Sequence, residues 1–198
     1  MSSLVGMINA SLVKVGGNTI LSLTEGSEEA RHCNIRYQEI MDTLLQSHPW
    51  NFSIHRATLT PLTTTPNHEW DYQFLLPTNP YCLKVLSVYD DYPFKVEGRN
   101  ILCDEASIDI KYIKRVTDVN TLSPIFRELF SLYLGSELAY PIAGSNSLKQ
   151  QLLAEFTRML SVARSIDGQE GTPQKFKTGS WISSRGRGSS RYAVARRY

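Results

Sequence analysis

The chain carries few residues at spacings that do chemistry. Its four histidines, His32, His48, His55 and His68, include no pair at i, i+4 and none beside a cysteine at ligand spacing, so a zinc centre lacks its usual sequence form. Cys33, Cys82 and Cys103 are widely separated and odd in number, which suits reduced, buried thiols better than a disulfide framework. Gly16-Gly17-Asn18 has no Lys-Ser/Thr to finish a phosphate-cradling loop, and there is no GxSxG elbow to expose a nucleophilic serine. The paired carboxylates Asp90–Asp91 and Asp104–Glu105 have the composition for acid–base work or for holding a divalent cation, but such pairs more often solvate a turn. No catalytic, metal-binding or cofactor-binding residue is assigned, and the expectation is a protein that is not an enzyme.

A different chemistry is concentrated at the C-terminal end. Residues 171–198 hold seven of the 21 Lys+Arg and none of the 19 Asp+Glu, leaving 14 basic against 19 acidic residues in the rest of the chain. An acidic body joined to a basic arm is built to reach a partner rather than to close one core. Arg185, Arg187, Arg191, Arg196 and Arg197 supply guanidinium groups for phosphates or carboxylates, some of them in an Arg-Gly run. Trp181, Ile182, Tyr192 and Tyr198 are interleaved with them, and a merely solvated arm has no need of such apolar anchors. Cations mixed with aromatic anchors fit docking onto an acidic, grooved protein surface.

The elements that must position this arm are legible in the hydrophobic period. Leu4, Met7, Ile8, Leu12 and Val15 recur at helical spacing and stop at Gly16–Gly17. Ser27 followed by Glu28 and Glu29 opens a second helix, with Ala30, Cys33, Tyr37, Ile40, Met41, Leu44 and Leu45 inward and His48–Pro49 as its close. From Trp50 to about Val116 the period is two, predicting five or six mostly antiparallel strands. A hairpin lies around Gly98, and a protruding Thr/Pro-rich loop runs from Thr58 to Asn67. Aromatics are frequent there, but the strands carry too few cations for a base-stacking sheet, so core packing is their expected fate.

Helical period returns at Ser123-Pro124. Ile125, Phe126, Leu129, Phe130, Tyr133 and Leu134 make that helix apolar nearly all round, so it must be covered by its own core or by neighbouring subunits; these six are the subunit-interface candidates. Pro141 and Gly144 are expected to end it. Ser147 and Gln150 form a capping box for a last helix whose stripe is Leu148, Leu152, Phe156, Met159, Ala163 and Ile166, ending at Asp167–Gly168. The fold class expected is α+β: a bundle of three to four helices from 1–49 and 117–170, an inserted β domain over 50–116, and an extended basic tail over 171–198. No apolar run approaches the ~20 residues a membrane helix needs, and no signal peptide opens the chain.

This order of segments, with Thr19-Ile-Leu-Ser-Leu23, Leu44-Leu-Gln-Ser-His-Pro-Trp-Asn-Phe52, Trp70-Asp-Tyr-Gln-Phe-Leu-Leu-Pro77, Phe94-Lys-Val-Glu-Gly98, Ile110-Lys-Tyr-Ile-Lys-Arg-Val-Thr-Asp118, Ser123-Pro124-Ile-Phe126 and Ala163-Arg164, resembles the tail tubular protein A family of short-tailed bacteriophages, which are head-to-tail adaptors. The resemblance runs over roughly residues 4–170 and leaves the basic tail outside it. It implies a structural protein of the virion tail, about a dozen copies of which form a ring below the portal. That ring joins portal to tail nozzle and surrounds the channel through which double-stranded DNA leaves, and tail fibres are a further candidate partner. No catalytic residue carries over. In this setting Trp181, Ile182, Arg185, Arg187, Arg191, Tyr192, Arg196, Arg197 and Tyr198 are the candidate portal-docking residues. The other function class open to the same residues is a nucleic-acid-binding module using the Arg-Gly tail.

Overall fold

The computed structural model describes residues 3–171. Among them lie four α-helices and two three-stranded antiparallel sheets. The helices are α1 (Leu4–Val15), α2 (Glu28–Gln46), α3 (Pro124–Ala143) and α4 (Asn146–Gln169), and the strands β1 (Ile54–Leu59), β2 (Tyr72–Leu75), β3 (Cys82–Val88), β4 (Lys95–Glu97), β5 (Asn100–Cys103) and β6 (Ile108–Lys114) separate α2 from α3.

Local signals fix most helix ends. The Ser3, Ser27 and Ser123 hydroxyls accept the backbone N–H of Gly6, Ala30 and Phe126, and Gly16 closes α1 at φ 74°, where a residue without Cβ is favoured. Three expectations fail. Pro141 does not end α3; the helix runs through it to Ala143, and its last turn is closed with Gly144 at φ 63°, where the Gly144 N–H donates to the Tyr140 carbonyl at 2.9 Å and the Ser145 N–H to the Ala139 carbonyl at 3.3 Å. The cap of α4 is Ser145, whose hydroxyl accepts the Leu148 N–H at 3.2 Å, while Ser147 only pairs with the Ser145 hydroxyl. Nor does α4 stop at Asp167–Gly168; it continues to Gln169.

α3 is the hub of the bundle and packs against α1, α2 and α4. Phe126, Leu129, Phe130, Leu132, Leu134 and Leu138 are buried, meeting Ile8, Leu12, Leu44, Leu45 and Leu152 in one core. The all-round apolar surface of α3 is therefore covered by its own chain, which takes Phe126, Leu129, Phe130 and Leu134 off the list of available interface residues; Ile125 and Tyr133 are only half-buried.

The sheets are ordered β1-β6-β3 and β2-β5-β4. Each strand alternates its faces, and the inward residues Leu59, Cys82, Val88, Ile108, Ile110 and Tyr112 of the first sheet meet Phe74, Ile101 and Cys103 of the second in a separate core. The opposite face of the first sheet joins the bundle through Ile113, with Leu83 and Leu86 of β3 packed against the same core. The boundary at residue 50 is not clean. Trp50 to Ser53 form a turn rather than a strand, and Trp50, fully buried, belongs to the helical core with Phe52 against it. Trp70 also precedes its strand, which begins at Tyr72.

A chain of polar contacts ties bundle to sheets. Asp42 on α2 holds Arg115 by two hydrogen bonds, one of 3.0 Å to Nε and a shorter one to Nη2. The Arg115 and Arg99 guanidinium groups both lie over the Tyr81 ring, 4.6 and 4.2 Å from its centre. Arg99 then donates to the carbonyls of Cys82 at 2.8 Å and Pro77 at 2.9 Å.

Candidate docking surfaces

The nine tail residues from Trp181 to Tyr198 singled out above lie outside the described residues. What the structure gives is the place from which that arm departs. The last turn of α4 is latched to the corner between α2 and β1. The Asp167 carboxylate accepts the Asn51 N–H at 3.0 Å and faces His48 Nε2 at 3.1 Å, and the Asn51 side-chain amide donates to the Asp167 carbonyl at 2.6 Å. Arg164 adds a bond to the Ser47 carbonyl at 3.2 Å. The Asp167 side chain is only 11% exposed, so these partners replace the water it gives up. Neither His48 nor Asp167 is a residue that motif reading would pair, since 119 positions separate them.

Beyond the latch, α4 overhangs the polar end of the first sheet. Between them runs a groove of about 910 Å³. Its apolar lining includes Ile54, Ala57, Leu86 and Tyr89; Arg56 and Lys111 stand on the sheet within it, and Gly171 lies on its wall. Neither Arg56 nor Lys111 has an ion pair or side-chain hydrogen bond among the described residues, whereas Asp109 in the same groove accepts the Thr58 hydroxyl.

A second surface is α4 itself. Of its predicted stripe only Leu152 and Ala163 are buried; Leu148, Phe156 and Met159 are half-covered, and Ile166 is 44% exposed with Val162 beside it at 50%. A third feature has no sequence signal. In the α1–α2 loop Asn9 binds both backbone groups of Ile20 at 2.8–2.9 Å, and the Glu25 carboxylate accepts the Leu21 N–H at 2.8 Å. The Ser27 hydroxyl, then this backbone bond, hold the Glu25 carboxyl below its ordinary range. The loop so fixed presents Leu21 93% exposed.

The two acidic pairs, distant in sequence, do come to one end of the β region. Both flank Tyr92, whose phenol is pushed up chiefly by Glu105, then by its own partial burial and by Asp90. Asp90 and Asp91 both have positive φ in an exposed turn, and Asp104 accepts the Asp71 N–H at 3.1 Å. Among the described residues no three His, Cys, Asp or Glu gather as a metal site, and no helix is long and apolar enough to cross a membrane. The cysteines are buried and free, and burial, reinforced by the charge of Glu29, pushes the Cys33 thiol up to about 11. His32 lies on α2, His68 is in an exposed loop, and His55 rests against Tyr112 with ring centres 5.5 Å apart. Among known proteins, no family model matches the chain, and no curated protein matches it.

Proposed function

We propose that this chain is a structural virion protein: a ring-forming head-to-tail adaptor that joins the portal to the tail nozzle and lines the channel for the exiting DNA, with the basic arm as its portal-docking device. The observation that carries this reading is the uncovered apolar side of α4 around Val162 and Ile166, set directly before a segment of one-signed charge. An apolar stripe left open on a chain with two complete cores of its own suits lateral contact between copies. The order of segments supports the same reading. It is tested by mixing the full chain with a short-tailed-phage portal and examining the product by native mass spectrometry and electron microscopy. Rings of about a dozen copies on the portal are expected; a monomer indifferent to portal and nozzle would overturn the reading.

The seven unopposed cations of residues 171–198 favour one other reading, nucleic-acid binding. It requires DNA or RNA affinity that falls steeply with salt and disappears when that segment is removed. Binding unaffected by the deletion excludes it.

A further inference from the structure

The groove under α4 has no occupant from the described residues, and the chain passes its wall at Gly171 before continuing for 27 residues. We propose that the groove receives the segment that follows directly, Pro173 to Thr178 of the same chain, with Phe176 seated on Ile54, Leu86 and Tyr89. The inference stands on the groove and its position alone and does not rest on the adaptor reading.

Reach permits it. Phe176 lies five residues beyond Gly171, which spans up to about 17 Å of extended chain. Chemistry permits it as well. In an extended strand alternate side chains point to opposite sides, so Lys175 and Lys177 turn away from the groove when Phe176 turns in. That places the lysines clear of Arg56 and Lys111, which would otherwise repel them. Those two cations instead face the backbone of the segment, where carbonyl oxygens offer the acceptors that both lack among the described residues. Tyr89, 69% exposed at the groove edge, gains an aromatic neighbour. The latch through Asp167 fixes the point of departure, so only a short loop has to close before the segment meets the groove. A second copy offers the same segment only at the cost of association, and a local one meets the groove at the high effective concentration of a short tether.

Limited trypsin digestion of the full chain, without portal or nucleic acid, tests this. Cleavage after Lys175 and Lys177 should be at least about tenfold slower than after Arg185 and Arg187, because protection follows the population of the closed form. Phe176→Ser, which removes the anchor, and Ser87→Trp, which fills the groove from an exposed strand position, should each bring the rates together, with circular dichroism confirming the native fold. Equal rates in the unaltered chain overturn the proposal, as does protection that survives both substitutions. Protection lost on dilution also overturns it, since the occupant is then the arm of a second copy. No portal is present, so failure here leaves the ring reading untouched, and failure of ring assembly leaves this one untouched.

Discussion

Trp50 shows how much one side chain settles at the junction of the two cores. Its ring is fully buried, edge-on to Phe126 at 5.2 Å and to His48 at 4.7 Å, and its indole N–H donates to the Leu44 carbonyl at 2.9 Å, which α2 leaves open at its end. Trp50→Phe keeps most of the packing and leaves that carbonyl with its second donor, the Ser47 hydroxyl at 2.8 Å, so urea denaturation should register a loss of only about 0.5–1.5 kcal/mol. Trp50→Ala adds a cavity and should cost about 3–5 kcal/mol. Cys33 makes a different prediction. The folded thiol keeps its proton up to about 11, whereas the unfolded one ionises near 9, so the unfolded chain releases its proton first. Stability therefore falls as pH rises between these values. At pH 8 thiol reagents should label Cys33 only as fast as the fold opens; labelling at the rate of a free thiol would contradict its burial.

At the scale of elements, the Asp42–Arg115–Tyr81–Arg99 chain sets how the sheets sit on the bundle. Asp42→Ala leaves a half-buried guanidinium without its bidentate partner and should cost about 1.5–3 kcal/mol, together with faster amide exchange at Thr78, Asn79 and Tyr81. An unchanged exchange pattern would show that apolar packing through Ile113 alone fixes the sheets. What was legible in the sequence follows the same division between local and distant causes. Ser27, Gly16 and Ser123-Pro124 mark helix ends because a cap is satisfied within three or four residues. The start of α4 was misplaced by two positions because Ser145 and Ser147 offer equivalent hydroxyls, and only the path of the chain after Gly144 chooses between them. Alternation revealed strands, but not that they divide into two sheets with β6 between β1 and β3. The His48–Asp167 latch and the Tyr81 contacts were illegible for the same reason, since each joins residues far apart in the chain.

For the whole molecule, the decisive contrast is between the covered surface of α3 and the open one of α4. An all-apolar helix pointed to α3 as the contact between copies; burial within the chain covers Phe126, Leu129, Phe130 and Leu134, and the proposed ring contact rests instead on the exposed Val162 and Ile166. Val162→Glu with Ile166→Glu should leave the melting temperature of the isolated chain within a few degrees, because neither side chain is buried. The same pair should abolish ring formation on the portal, as seen by electron microscopy. Rings formed normally by the double variant would place the lateral contact elsewhere, with Leu21 the next residue to alter.

The placement of the strands between α2 and α3 also bears on how the molecule comes into being. α1 packs on α3, and the Lys14–Glu128 ion pair of 2.6 Å spans 114 positions. During synthesis α1 emerges long before its neighbour exists, and its apolar side stays open through the whole passage of the sheets. The β region, with its own core and shorter-range pairings, can collapse first and bring α2 and α3 together. A newborn chain halted before Ser123 should thus hold folded sheets beside an exposed α1, a state in which chaperone binding is expected.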